Sequence, residues 1–390
     1  MGNNIGKIRI VCLAFLACAI TATAQVPADY QARYATLAGK SGASLFSALE
    51  SIAAEGYTTH SYADLWTLFL ITDLNASGKI WDMYSSCTFT PQVDQCGNYS
   101  SVCTCYNREH SLPKSWFGGS KDNPPGNDLF HLIPTDGRVN SQRGDSPFGE
   151  CANGSSLGGH ALGKLGSSTL EGFTNIGSVF EPDDMYKGDF ARSYFGMIVR
   201  YGTSYDLSQS NGNIMFSNSG SSISAANRFG LTAYSVALLM KWTRQDTVSA
   251  KEIARNNGIQ TAQGNRNPFI DCPIVAEYLW GTKAGDSVTI DDLLACGCVD
   301  STYFTALDEV IAGTSDEVSR LASVNVAGVA EGLSFSCLPH GARVLLFDAR
   351  GMLLTEERAS TAELAIAVGS GFYLAVVAIN NETRAMKVKK

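Results

Sequence analysis

Residues 105–149 read CYNREHSLPKSWFGGSKDNPPGNDLFHLIPTDGRVNSQRGDSPFG. The first part places a carboxylate and an imidazole side by side, at Glu109 and His110, and the second part contains Asn140. Carboxylate and amide oxygens suit Mg²⁺ or Ca²⁺, and a neutral imidazole can take a proton from water near neutral pH. We therefore expect a strand–loop–helix unit that holds one hard cation and one activated water.

The local spacing sets a condition on this unit. Glu109 and His110 are adjacent, and adjacent residues on a regular strand point to opposite faces. Both can serve one site only where the strand twists, bulges or ends. Pro113, three residues on, favours a strand end there. The second segment is predicted to become helical at Thr135 or Asp136.

The same stretch resembles the endonuclease I family, a secreted branch of the ββα-metal (His-Me finger) nucleases. The resemblance extends upstream to YADLWTLFLITD and KIWDMYS and downstream to VFEPDDMYKGDFARSYFGMIVRY and QGNRNPFID, so that it covers roughly Ser44 to Gly281. Because several linked motifs occur in the same order, the match is more specific than a Glu-His pair alone.

The resemblance implies a reaction and three residue roles. His110 matches the general base that deprotonates the attacking water, and Glu109 and Asn140 match the metal ligands. The implied cofactor is Mg²⁺ or another divalent cation such as Ca²⁺ or Mn²⁺. The implied activity is hydrolysis of phosphodiester bonds in DNA, with RNA as a further candidate substrate and with little sequence preference, leaving 5′ phosphates.

The residue that binds the substrate phosphate is less evident. The family can use an arginine between the histidine and the second motif, but that segment here has only Lys114 and Lys121. Arg143 follows Asn140 by three residues and so lies on the same helical face. Arg143 and Lys121 are therefore the candidate phosphate-binding residues.

Residues 1–24 have the pattern of a secretory signal peptide. Lys7 and Arg9 precede the apolar run Ile10–Ile20, and Ala22–Ala24 fits a cleavage site. The apolar run is short for a membrane span, which needs about 20 apolar residues. We expect a secreted or cell-surface protein whose mature chain has no membrane span and acts as a monomer.

The net charge argues against a broadly basic nucleic-acid-binding protein. Removing the signal takes away Lys7 and Arg9 and no acid, so 27 basic residues face 37 acidic ones, a net charge of −10. Affinity for phosphates usually comes from lysine and arginine. The basic residues should therefore be locally clustered, and a bound cation adds positive charge that the residue count omits.

The cysteines indicate an oxidising compartment. Eleven become nine once the signal is removed, and in an exported chain they favour disulfides over free thiols. Five flank the predicted site: Cys87, Cys96, Cys103, Cys105 and Cys151. Bridges should hold the catalytic region, and the odd count leaves at least one thiol free or paired outside the chain. A zinc site built from Cys103, Cys105, His110 and His131 is the minority alternative.

The predicted fold class is α+β. A mostly helical nuclease domain around the ββα-metal unit should span residues 25–285, followed by a connector at 286–321 and a small all-β sandwich at 322–390. The predicted helices are Val26–Ala54, a helix from Ser61 or Tyr62 onward, Asp189–Tyr201, Ser235–Trp242 and Ser249–Asn257. Glycine and serine dominate 154–168, which indicates a surface loop.

The last domain carries its own resemblance. The segments FDARGMLL, GFYLAVV and MKVKK, the last at the end of the chain, resemble C-terminal sorting domains recognised by type IX secretion. This resemblance implies the type IX secretion machinery as a partner and gives the domain no part in the chemistry.

Three alternatives remain open at this point. His131, in the apolar run Leu129–Ile133, is either a core histidine or one that orients a metal-bound group. Asn265, Arg266 and Asn267 either face substrate or form a buried loop that ties helices together. The whole chain could also be a non-catalytic nucleic-acid-binding or adhesion surface protein on a nuclease-like scaffold.

Overall fold

The computed structural model describes residues 26–304, 321, 324–348, 353–379 and 382–390. The predicted signal peptide lies outside the described residues, as does most of the second half of the predicted connector. Mixed helix and antiparallel strand content agrees with the α+β prediction.

Helices dominate the described residues up to 304. They are α1 (Ala28–Ala35), α2 (Gly42–Ala54), α3 (Leu65–Thr72), α4 (Pro124–Asn127), α5 (Gly137–Arg143), α6 (Lys187–Tyr201), α7 (Ala233–Gln245), α8 (Ala250–Gln263), α9 (Pro268–Asp271), α10 (Val275–Trp280) and α11 (Ile290–Ala295). None of them, in the described part of the chain, combines the length and the apolar character needed to span a bilayer.

Five short strands accompany these helices: β1 (Tyr106–His110), β2 (Leu132–Asp136), β3 (Ser155–Ser156), β4 (Lys164–Ser167) and β5 (Ser178–Glu181). β1 and β2 form a two-stranded antiparallel sheet, and β3, β4 and β5 form a three-stranded one in that order. β1, β2 and α5 together make the strand–strand–helix unit that the sequence predicts.

Helix α6 lies at the centre of the helical part. Its apolar residues at helical spacing, among them Phe190, Tyr194 and Ile198, are fully buried, and it packs against α2 and α7. Almost every side chain of α6 is buried, so neighbours cover this helix on all sides. It corresponds to the helix predicted at 189–201, begun two residues earlier.

Other predicted boundaries also differ from the structure, including the helix predicted at Ser235–Trp242, which spans Ala233–Gln245. Residues 26–54 form two helices, α1 and α2, separated by a turn, and the helix predicted from Ser61 or Tyr62 begins at Leu65. The predicted stop at Asn257 is wrong, because α8 continues to Gln263 and ends at Gly264, which has a left-handed φ of 88°.

The loop predicted at 154–168 is also partly wrong. Strands β3 and β4 lie within it, and β4 pairs with β5 so that Leu165 is opposite Phe180. Phe180 is fully buried. The apolar side chains that stabilise this sheet come from β5, beyond the glycine-rich segment, so composition alone did not show the strands.

Seven further strands follow the helical part: β6 (Asn325–Val329), β7 (Gly332–Ser336), β8 (Arg343–Asp348), β9 (Leu353–Arg358), β10 (Glu363–Ile366), β11 (Phe372–Ile379) and β12 (Glu382–Lys389). They form one three-stranded sheet in the order β10-β7-β6 and one four-stranded sheet in the order β12-β11-β8-β9. Leu333 and Phe335 from the first sheet and Val344 and Val377 from the second share one apolar core. This core is separate from that of the helical part.

Candidate active site

The ββα unit is fixed at the start of its helix. Asp136, the last residue of β2, caps α5 by accepting hydrogen bonds from the amides of Arg138 and Val139, at 2.8 and 3.0 Å. The other oxygen of Asp136 accepts from the amide of Cys103 at 2.6 Å. Gly137 is required here, because an added Cβ would lie 2.5 Å from the ring of Tyr99.

Two disulfides hold the entry to β1. Cys87 pairs with Cys103, and Cys96 pairs with Cys105, the residue immediately before the strand. A third pair, Cys272 with Cys298, lies elsewhere in the helical part. Among the described residues, Cys151, Cys296 and Cys337 remain unpaired.

The structure brings Glu109, His110 and Asn140 to one open pocket, which Tyr62 and Arg108 also line. β1 pairs with β2 with Glu109 opposite Ile133, and it ends at His110. Because the regular strand stops there, adjacent residues can both face the pocket. This is the condition that the sequence imposed on the pair.

Glu109 is a buried carboxylate, 3% exposed, in the lining of the pocket. Tyr84 donates a hydrogen bond to its Oε1 at 3.0 Å, and the Nη1 of Arg143 donates to the same oxygen. Oε2 is engaged by neither group. Burial raises the pKa of Glu109, whereas the charge and hydrogen bonds of Arg143 and Tyr84 act in the opposite direction.

Asn140 is oriented by a second asparagine. Its Nδ2 donates to Oδ1 of Asn107 at 2.8 Å. Asn107 precedes Glu109 by two residues on β1, so the two side chains leave the strand on the same side. Because the amide nitrogen of Asn140 is held in this way, its carbonyl oxygen is left to the pocket.

His110 has a defined tautomer. Its Nε2 lies 2.9 Å from the backbone carbonyl of Gly126, and since a carbonyl only accepts, Nε2 must carry the proton. Nδ1 therefore carries the lone pair. The ring stacks on Tyr62 with centroids 5.6 Å apart and an interplanar angle of 15°. Burial lowers the pKa of His110 to about 4, so the imidazole is neutral at pH 7.

His131 is fully buried and uses both ring nitrogens. Its Nδ1 accepts from the amide of Leu112 at 3.3 Å, and its Nε2 donates to the carbonyl of Pro125 at 2.6 Å. Burial lowers the pKa of His131 to about 3. With no free lone pair, His131 is a core histidine beside His110, at a centroid distance of 5.6 Å, and cannot act as the base.

Arg143 lies behind Glu109, away from solvent. Its side chain is 1% exposed, and it forms an ion pair with Glu109. Its remaining contacts include the hydroxyl of Tyr84 at 2.9 Å and the carbonyl of Ser111 at 2.7 Å. A substrate phosphate cannot reach a guanidinium buried in this way, so the structure does not support the phosphate-binding role predicted for Arg143.

The cations near the pocket mouth surround Tyr62. The Nζ of Lys121 lies 5.2 Å from the centre of that ring, and Lys114 lines the pocket. Arg108 lies over the same ring at 3.8 Å and was not among the residues that the sequence singled out. The sequence feature that could have identified Arg108 as a site residue is its position directly before Glu109 and His110. Lys114, Lys121 and Arg108 thus form a local cluster of basic residues in a chain whose net charge is negative.

Two alternatives from the sequence do not match the geometry. Cys103 and Cys105 are in disulfides, so they offer no thiolates for a zinc site with His110. Arg266 is 1% exposed and forms an ion pair with Asp271 at 2.6 Å. The loop that contains Arg266 is thus a buried connection between α8 and α9.

The comparisons with known proteins point in one direction. The family model described as endonuclease I matches residues 41–274. The extracellular ribonuclease of Bacillus amyloliquefaciens is 34% identical over 262 residues, which cover 65% of this chain and 79% of that protein. The extracellular ribonuclease of Bacillus subtilis (strain 168) is 32% identical over 273 residues, which cover 67% and 82% respectively.

One solved structure shows a local likeness. It is PorZ, described as an essential bacterial surface component of the type IX secretion system of Porphyromonas gingivalis, with 22% identity. The likeness covers 19% of this chain and 12% of that chain, with a TM-score of 0.18. At that TM-score it shows nothing about the fold or function of this chain.

Proposed function

This chain belongs to the endonuclease I family, and from that premise we propose that it is a secreted, metal-dependent endonuclease that hydrolyses DNA and RNA with little sequence preference. The comparisons alone show that the chain is a nuclease, a phosphodiester hydrolase. The observation that carries the finer proposal is the meeting of Glu109, His110 and Asn140 in one pocket.

The donor set suits a hard divalent cation. Oε2 of Glu109 and the amide oxygen of Asn140 are left available to the pocket, and oxygen ligands of this kind suit Mg²⁺, Mn²⁺ or Ca²⁺. We assign both residues as the ligands, and the low ligand count fits an ion that keeps several waters. When bound, such an ion supplies positive charge for the phosphate group and for the leaving oxygen.

His110 is assigned as the general base. Its Nδ1 takes a proton from a water molecule as that water forms a bond to phosphorus and the bond to the 3′ oxygen breaks. The product strand then carries a 5′ phosphate. The contact from Nε2 to Gly126 holds the tautomer in which Nδ1 accepts, and the ring of Tyr62 holds the imidazole plane.

Arg143 is assigned a positioning role. It fixes Oε1 of Glu109 from the protein side and so turns the other oxygen toward the pocket. A positive charge beside a buried carboxylate also favours its ionised form, which is the form that binds a cation.

The proposed chemistry does not distinguish DNA from RNA. The attacking oxygen comes from water, so the reaction does not need the 2′-hydroxyl that RNA alone possesses. The two Bacillus relatives are described as ribonucleases, and this supports RNA as a substrate beside DNA.

Secretion is part of the proposal. The two relatives are described as extracellular, the sequence begins with a signal-like segment, and three cysteine pairs suit an oxidising compartment. We further assign residues 322–390 as a sorting domain for type IX secretion, and the separate apolar core of this segment supports its assignment as a domain of its own. Deleting 322–390 should leave the protein in the cells. Release of the truncated chain at the full-length level would contradict this assignment.

The direct test is cleavage of plasmid DNA and of a long RNA by the full chain with Mg²⁺, Mn²⁺ or Ca²⁺. We expect cleavage of both substrates, its loss with EDTA, and a loss of about 100-fold or more in His110→Ala. His160→Ala is the matched control, because His160 lies outside the pocket and contacts Ser86. Undiminished cleavage by His110→Ala would reject the base assignment, and binding without cleavage under every ion would favour a non-catalytic surface protein.

A further inference from the structure

Arg108 is half-buried and lines the candidate pocket, and its surroundings differ from those of the four buried arginines in the described residues. Arg143, Arg192, Arg255 and Arg266 each form an ion pair with a carboxylate. In the part of the chain that the structure describes, no carboxylate lies within ion-pairing distance of Arg108. A half-buried cation without a counter-charge is costly. Half-buried Arg200 has no ion pair among the described residues either, so the observation that points to an anionic ligand is the place of Arg108 in the pocket.

Most donors of Arg108 remain available. Its Nη1 donates to the backbone carbonyl of Tyr62 at 2.6 Å. A guanidinium has five N–H donors in a planar fork, and stacking does not occupy its edges. The carbon of the guanidinium lies 3.8 Å from the ring centre of Tyr62 and 4.3 Å from that of Trp66. The two rings fix the plane of the fork, so less rotational freedom is lost when it binds a ligand.

The location of this fork matches the proposed chemistry. Arg108 and His110 are two residues apart on β1, so their side chains leave the strand on the same side. The ring of Tyr62 stacks against both side chains. Arg108 lines the same pocket as Glu109 and Asn140. A tetrahedral anion in that pocket could present one oxygen to the metal-binding oxygens and another to the fork of Arg108.

We propose that Arg108, held flat by Tyr62 and Trp66, binds a phosphate of the substrate strand in the active-site pocket. This inference rests on the proposed nuclease function and identifies Arg108 as the side chain whose positive charge binds the phosphate. Bidentate contact from a guanidinium to phosphate is among the stronger charge-assisted hydrogen bonds. It assigns to Arg108 the role that Arg143, buried behind Glu109, cannot fill.

The test compares Arg108→Gln with Arg200→Gln in the full chain. Arg200 is a matched control, because its guanidinium also stacks on tyrosines, Tyr57 at 5.0 Å and Tyr201 at 4.7 Å, outside the pocket. We expect Arg108→Gln to lower kcat/KM for plasmid DNA by about 100-fold. Arg200→Gln should stay near wild type, and Arg108→Lys should recover part of the loss.

A second measurement does not depend on cleavage. Binding of a DNA duplex in EDTA should weaken with salt, and the slope of log K against log salt concentration should fall by about 0.9 in Arg108→Gln. A purely structural role would not change this slope. A change in slope supports the inference even where the wild type proves inactive, so the proposed function and the inference fail separately.

Two outcomes would overturn the inference. The first is a folded Arg108→Gln that cleaves and binds DNA as Arg200→Gln does. The second concerns folding: Arg108→Met keeps an apolar side chain in the aromatic stack and should fold if charge is not needed there. Failure of both Arg108→Gln and Arg108→Met to fold, beside a folded Arg200→Gln, would show that folding needs the charge of Arg108 and would overturn its assignment to substrate binding.

Discussion

Asn107 and Asn140 are joined by a hydrogen bond across the ββα unit, from Nδ2 of Asn140 to Oδ1 of Asn107 at 2.8 Å. One residue lies on β1 and the other on α5. The contact therefore fixes the orientation of the Asn140 side chain relative to β1, the strand that carries Glu109 and His110.

The first prediction concerns this contact. Asn107→Ala should weaken the apparent affinity for Mn²⁺, measured from cleavage against ion concentration, by 10- to 100-fold, on the order found for residues that orient metal ligands. Asn107→Asp keeps an acceptor at the same position and should lose less. Equal Mn²⁺ dependence in wild type and Asn107→Ala would contradict the orienting role.

The second prediction concerns the buried pair of Glu109 and Arg143. Arg143→Met should lower the free energy of unfolding by about 3 kcal/mol or more, because it leaves a buried carboxylate without its counter-charge. The double variant with Glu109→Gln should recover part of that loss. Urea unfolding of the three proteins measures both effects. A double variant less stable than Arg143→Met would argue against uncompensated charge as the cause.

The third prediction is a dependence of stability on pH. The folded-state pKa values of His131 and His110, about 3 and about 4, lie below the ordinary value of 6.5. Between these values the unfolded chain binds more protons, so the stability present above pH 6.5 is lost as pH falls. At pH 5 each histidine should account for about 2 kcal/mol.

Urea unfolding at pH 7.5 and pH 5.0 measures this loss. Burial raises the pKa of Asp82 to about 7, which acts in the opposite direction in both proteins. His131→Asn removes one titrating group, so from pH 7.5 to pH 5.0 the wild type should lose about 2 kcal/mol more of its free energy of unfolding than this variant. An identical pH dependence in the two proteins would contradict the buried neutral state of His131.

The fourth prediction concerns the disulfide between Cys87 and Cys103. The pair closes a loop of 16 residues, for which loss of the cross-link costs about 3 kcal/mol by chain entropy. Replacing both cysteines by serine should lower the free energy of unfolding by about that amount and reduce cleavage. The backbone amide of Cys103 donates to Asp136, the cap of α5. Loss of the disulfide should loosen this contact and with it the position of α5, so cleavage should fall. Full activity in the double serine variant would show that the cap alone fixes the helix.

The motif predicts that Glu109, His110 and Asn140 lie close together, and all three line one pocket; the surroundings of Arg143 depend on packing, which the motif does not show. Adjacent Glu109 and His110 required a strand end, and β1 ends at His110. Helical spacing put Arg143 on the face of Asn140, but spacing does not show what covers that face. In the structure Glu109, Tyr84 and the backbone enclose the guanidinium.

The prediction of secondary structure failed at a glycine, because glycine can serve either close packing or an unusual backbone conformation. Asn257 followed by Gly258 is the pattern that predicts a helix end at Asn257, but Gly258 allows close packing instead. An added Cβ there would lie 2.7 Å from the carbonyl oxygen of Ile71. Helix α8 therefore continues past it to a glycine that does have a left-handed backbone, Gly264. Sequence alone cannot distinguish a glycine needed for contact from one needed for conformation.

The contact between His110 and Gly126 makes the basic nitrogen of the imidazole depend on the backbone. A carboxylate that orients a histidine also stabilises the protonated ring. At His110 a neutral main-chain carbonyl orients the ring instead, and burial keeps the pKa of His110 low. The identity of the basic nitrogen is thus set by backbone geometry rather than by any partner side chain. Gly126 has no room for a Cβ, which would lie 2.5 Å from the carbonyl oxygen of Ser120. A substitution of Gly126 in α4 should therefore lower activity although Glu109, His110 and Asn140 themselves are unchanged.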